Sequence, residues 1–250
     1  MSPIYPNPTE WWQLGFLIRN EPLRRLLESA ENIVAKLDPV TKPWQGALFE
    51  KWYIGLYYRY FEAHRDAENE VWFPWLSSRK KLPPSLTGDD PIIEARVLEV
   101  KALAGELAKG CSGGGEVKDV AAVKTCAGKI RTSMRLIQRD LEPHLNFGEG
   151  VCGPIVRDFF TKEGEGVKVG HMLERFKSTG NSEFFAIVAF DSVLEWATRD
   201  QMEFFLESLP FVVSKMVKTW HPGFVNSEKK WGVDLLRTSA PLGDSTCVVS

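Results

Sequence analysis

A histidine and a glutamate one helical turn apart, His64 and Glu68, stand where the surrounding residues call for an apolar stripe. At helical spacing Phe61, His64, Glu68, Val71 or Trp72, and Trp75 share one face. Burying an imidazole and a carboxylate together is costly unless each finds a partner, and a metal ion is one such partner. A second histidine, His144, occupies a core position in the most regular stripe of the chain, Ile130, Met134, Ile137, Leu141, His144, Gly148. His64 and Glu68 are the pair that the spacing itself singles out as candidate metal ligands. The competing reading is an ion-paired or hydrogen-bonded polar core without metal.

The elements that must position these residues are all helices. Proline and glycine punctuate the chain, and no alternating β-branched run competes. The first helix is predicted to start with Asn7 as cap and Pro8 in its first turn and to stop near Asp38-Pro39, with a kink at Pro22. Its stripe reads Phe16, Asn20, Leu23, Leu27, Ala30, Val34, Leu37. A second runs from about Pro43 to Phe73, ended by Pro74. A third, capped by Asp90 with Pro91 in its first position, runs to about Lys109. The fourth spans roughly Val117 to Phe147, where Pro143 and the glycines Gly148, Gly150 and Gly153 are expected to bend and end it. Shorter helices follow at Pro154 to Thr161, Val167 to Ser178, Glu183 to Ala197, Arg199 to Ser208, Pro210 to Trp220 and around Trp231. Thr198-Arg199-Asp200-Gln201 is a capping box for one of them. Short connections make these later helices an extension packed on the first four.

The spacing of anchors around the candidate ligands resembles the hemerythrin-like (HHE cation-binding) family. That family's second helix carries His-His-x-x-Glu-Glu followed by Phe-Pro, here His64-Arg65-Asp66-Ala67-Glu68-Asn69 and Phe73-Pro74. Its fourth-helix His-Leu-x-x-Glu-Glu is similar to His144-Leu145-Asn146-Phe147-Gly148-Glu149 with Pro154. Its first-helix histidine falls on Asn20, three residues before Leu23-Arg24, and its third-helix Asp-His start on Asp89-Asp90. The resemblance covers about residues 10–155. It implies an up-down four-helix bundle, 1–155, with an extension, 156–237, and a tail, 238–250. It further implies non-heme iron chemistry in oxygen or metal binding or sensing. Asn20, Asp90 and Gly148 replace family ligands, so the resemblance implies not an intact di-iron centre but a reduced site for a single Fe(II) or another divalent ion, with His64, Glu68 and His144 as ligands and Asp90 and Glu94 as reserve carboxylates.

Composition narrows the remaining classes. The chain has 250 residues, with 31 basic against 33 acidic side chains and a net charge of −2. It supplies no broad field for nucleic acid. The longest apolar run, Phe184 to Phe190, is seven residues, far short of the roughly 20 that cross a bilayer. The N-terminus does not read as a secretory signal, so a cytoplasmic protein is expected. Cys111, Cys126, Cys152 and Cys247 lack metal-finger spacing and read as free thiols. His171 and His221 read as surface or packing histidines, and the tryptophans as inter-helix packing. The glycine run Gly113 to Gly115 is a connector, not a phosphate loop. No local catalytic signature is present, which favours a non-enzyme. The last four residues, Cys247-Val248-Val249-Ser250, fit C-a-a-X and predict farnesylation of Cys247 in a eukaryotic cytosol, with reversible attachment to the cytoplasmic face of a membrane. The alternative to a metal-binding function is a metal-free helical scaffold or interaction protein, anchored through that cysteine.

Overall fold

The computed structural model describes residues 3–5, 8–87, 91–111, 117, 119–177 and 181–240, and all regular structure among them is helical. The protein is all-α. Helix α1, Trp11–Lys36, starts later than the Asn7 and Pro8 pattern predicts. The Gln13 side-chain oxygen accepts from Thr9 N at 3.0 Å and Glu10 N at 3.3 Å, capturing the amides that would otherwise begin the helix earlier. Asn7 lies outside the described residues. All seven members of the predicted α1 stripe are buried, Asn20 included.

Helix α2 is one continuous rod over residues 44–77, made of α-helical stretches interrupted by π-helical turns at Tyr53–Tyr58 and Glu68–Trp72. Pro74 does not end it. The second π turn widens the rod just before Pro74, where the ring would meet the preceding carbonyls and no N–H is available. The extra residue in that turn also settles which residue follows Glu68 on the inner face: Trp72 is 1 % exposed, whereas Val71 is only partly buried.

A single turn, α3 (Pro84–Thr87), precedes α4 (Pro91–Cys111), which starts at the predicted proline. Helix α5, Val120–Phe159, is 40 residues long and is capped by Asp119, whose side chain accepts from Ala122 N at 2.9 Å. It passes without a break through Pro143, Gly148, Gly150, Gly153 and Pro154, so the expected end near Phe147 is displaced by three turns. Close approach explains the glycines better than termination does. A Cβ on Gly153 would lie 2.6 Å from the Tyr5 hydroxyl and 3.0 Å from the Trp12 ring, so the bare backbone is what lets residues 3–5 and the start of α1 dock. The helix therefore also crosses the expected boundary after residue 155.

The later helices are α6 (Lys162–Lys177), α7 (Ser182–Trp196), α8 (Arg199–Ser208) and α9, a rod over residues 211–235 with a π turn at Val225–Lys229. The Thr198 capping box forms as predicted: Gln201 N donates to Thr198 Oγ1, and the Gln201 side chain accepts from Thr198 N at 2.8 Å. Helix α5 packs along α4 and α1, and α4 packs along α2. Their inner stripes share one core, which also takes in Met172 and Phe176 of α6 and Phe184 and Phe185 of α7. A second cluster, Phe16, Trp72, Phe73, Leu76, Leu86, Cys152 and Val156, closes the end nearest the candidate ligands. No described helix is long and apolar enough to cross a membrane.

Gly153→Ala is expected to undock the N-terminal segment while leaving α5 helical. Limited proteolysis should then cut within the first ten or so residues faster than in the parent, at unchanged helical circular dichroism.

Candidate functional site

Three polar groups of different character lie along the inner faces of α1, α2 and α5. The first holds the candidate ligands. His64, Glu68, His144 and Glu94 line one small cavity of about 40 Å³ with Phe61, Ile93 and Leu141. Glu68, His144, Asn20 and Gly148 line a second, of about 10 Å³. The sequence pattern thus brings its predicted ligands to one place. His64, 4 % exposed, has Nε2 3.4 Å from Glu68 Oε1, a long contact that leaves Nε2 without a full hydrogen bond. Burial alone would raise the Glu68 pKa, but the His64 and His144 imidazoles and the Arg19 guanidinium outweigh it and hold the carboxyl below its ordinary value. Glu94 is turned to Arg65, with which it pairs. Asp90 and Cys247 lie outside the described residues. Among the described residues, no three His, Cys, Asp or Glu side chains converge closely enough to hold a metal ion.

The second group is fully buried. Glu149, 1 % exposed, accepts at Oε1 from Asn20 Nδ2 (2.9 Å) and Arg24 Nη2 (2.7 Å), and at Oε2 from Ile4 N (3.1 Å). Arg24, 2 % exposed, also donates to Asn146 Oδ1 at 2.9 Å. Asn20 falls on the first-helix ligand position that the resemblance implies, and Glu149 directly follows Gly148, which falls on the fourth-helix one. Here they bond to each other and to a guanidinium. Two family ligand positions, Asn20 and Gly148, offer no anionic or imidazole donor, and a fixed positive charge lies against the nearest carboxylate. The residues present do not fit a di-metal centre.

The third group was not legible beforehand. Arg19 Nη1 lies 3.3 Å from Glu165 Oε1, with the guanidinium 3.4 Å above the Trp72 ring centre and 4.7 Å from that of Phe16. Tyr60 donates its hydroxyl hydrogen to the Arg19 carbonyl at 3.3 Å. Gly15 makes room for the pair, since a Cβ there would sit 1.9 Å from Glu165 Oε1. Burial pushes the Glu165 carboxyl up to about 7, with Arg19 opposing the rise, and burial lowers the pKa of Arg19. Arg19 and Arg24 flank the predicted α1 stripe and were not marked by it, and nothing in the sequence marks Glu165.

The remaining candidates are quiet. Cys111, Cys126 and Cys152 are free and buried, and burial followed by the Glu68 charge pushes the Cys152 thiol up to about 12, which makes it a poor nucleophile. His221 is a packing histidine with a partner: its Nε2 is 2.8 Å from Asp191 Oδ1, which also receives Lys229. Comparison with protein-family models, curated proteins and solved structures finds no match to the chain.

Arg24→Met should destabilise the protein by about 3–5 kcal/mol in urea unfolding, because Glu149 is left buried and uncompensated. Combining it with Glu149→Leu should recover a large part of that loss, leaving mainly the unpaired Asn20 amide. Glu165 gives a pH signature of opposite sign to ordinary acid denaturation. Its folded pKa of about 7 lies above the ordinary value of 4.5, so the folded state binds the proton more tightly. The parent should therefore lose stability, by up to about 3 kcal/mol, as pH rises from near 4.5 to 7. The difference between parent and Glu165→Gln in thermal unfolding across this window reads that contribution.

Proposed function

We propose that the chain is a metal-free helical binding scaffold on a hemerythrin-like up-down bundle, in which buried polar residues fix the helices against one another. The observation that carries this reading is the Glu149 carboxylate, whose two oxygens are taken by Asn20, Arg24 and Ile4 N. A guanidinium in that position supplies by hydrogen bonding and charge what a metal ion would supply by coordination, and it repels a cation. Arg19 adds a second positive charge acting on Glu68. Farnesylation of Cys247 would hold the scaffold at the cytoplasmic face of a membrane, weakly, since the tail lacks a dense basic cluster.

A second reading has its own support. His64 Nε2 is buried without a hydrogen-bond partner, and His64 lines a cavity with Glu68 and His144. Brought closer together than they stand here, those three side chains would be the ligands of a single Fe(II) or other divalent ion, which would supply redox or oxygen-sensing chemistry.

Metal analysis separates the two. Tag-free protein loaded anaerobically with Fe(II) and then desalted should retain no more iron than the His64→Ala/Glu68→Ala double variant. Stoichiometric iron in the parent that the double variant loses would establish the single-ion reading instead. Mass spectrometry of the C-terminal peptide from eukaryotic cells should find a farnesyl group on Cys247; an unmodified cysteine would remove the membrane part of the proposal.

A further inference from the structure

Between α1, α6, α7 and α8 lies a cavity of about 570 Å³, within the roughly 300–1,000 Å³ typical of small-molecule sites. It is more than ten times the volume of the one beside His64. Ile18, Val169, Leu173, Ala186 and Phe205 give it an apolar wall. The exposed Lys162 and Glu207, which also line it, pair at 3.3 Å between Nζ and Oε2 and join α6 to α8. The Arg19 and Glu165 pair also lines it, with side chains 6 % and 5 % exposed.

That pair is incompletely satisfied. Its one contact is long, 3.3 Å through a single nitrogen and a single oxygen, where a charge-assisted bond usually closes to about 2.7–2.9 Å. Arg19 Nη2 and Glu165 Oε2 are buried with no hydrogen-bond partner. A donor and an acceptor, both wanting partners, thus belong to one ion pair whose residues line an apolar chamber. Buried polar groups in this state cost free energy until something meets them. The ionised pair sums to zero charge. A ligand that brought a net charge to it would leave that charge uncompensated in an apolar enclosure. A neutral head with an adjacent acceptor and donor would satisfy both atoms at once.

We propose that this cavity is a binding site for an uncharged amphiphile with an apolar body and a primary carboxamide or equivalent donor–acceptor head, its carbonyl accepting from Arg19 and its N–H donating to Glu165. The body lies along Ile18, Val169, Leu173, Ala186 and Phe205. The site is separate in space from the His64 cavity and is lined by none of the candidate metal ligands.

Isothermal titration of the full chain at about pH 8, above the Glu165 pKa of about 7, with decanamide, decanoate and decylammonium tests it. Decanamide is expected to bind at one site, about tenfold or more tighter than either charged analogue. Two variants keep the result interpretable. Gly166 and Gly170 line the cavity, and a Cβ at either meets nothing within 4 Å. Gly166→Leu/Gly170→Leu should raise the Tm through helix propensity while cutting decanamide affinity about tenfold or more. Arg19→Met/Glu165→Met removes both polar atoms together, so no lone buried charge is left, and should abolish the preference for the amide. Equal binding of all three probes, no saturable binding, or undiminished affinity in the glycine double variant would overturn the proposal.

Discussion

A carboxylate 1 % exposed in a helical core has to be neutralised where it stands, and Glu149 is neutralised by Arg24. The geometry follows from that requirement. Arg24 and Asn20, one turn apart on α1, must face the turn of α5 that carries Glu149, which fixes the register of the two helices. The second oxygen takes Ile4 N, which draws the N-terminal segment over the same turn. Gly150 and Gly153 then leave room for Ile4, Tyr5 and Trp12. Helix α5 runs uninterrupted through a glycine-rich stretch in which Gly153 is buried against Tyr5 and Trp12 and the Glu149 carboxylate is held.

The helical architecture was legible because it rests on periodicity. The stripes of α1, α2 and α5 recur at helical spacing; the α1 stripe is wholly buried, whereas Glu68, Trp75, His144 and Gly148 on the other two are only partly so. The ends of helices were less legible, because proline and glycine carry two meanings that only packing separates. Pro74 reads as a stop until a π turn accommodates it, and Gly153 reads as a stop until Tyr5 and Trp12 are found against it. The start of α1 depends on which side chain captures the free amides, and Gln13 does so where Asn7 and Pro8 had the better local pattern.

The polar interior divides along the same line. His64, Glu68 and His144 interrupt apolar stripes, so the sequence marks them, and they do line a common cavity. Arg19 and Glu165 are 146 positions apart, and the place where they meet is set by how α6 packs on α1. Glu165 sits in the first turn of α6, where an acidic residue is expected for local reasons, so its burial gives no advance sign. Gly15 shows the same limit: an unremarkable helical glycine becomes the space that the Glu165 carboxyl occupies.

These groups form one electrostatic series. His64 lies against Glu68, the charge on Glu68 is coupled to Arg19, and Arg19 is paired with Glu165 at the wall of the large cavity. Each carboxylate therefore shares a cation with its neighbour, and the Arg19 guanidinium, held flat against Trp72, is common to both. A positive ion drawn toward Glu68 would compete with Arg19 for that charge and leave Arg19 leaning more heavily on Glu165. A head group that bonded Arg19 from the cavity side would act in the opposite direction, relieving Glu165 and leaving Glu68 to the imidazoles. The small cavity and the large one are separate in space, yet a single buried arginine makes the charge balance of each depend on the other.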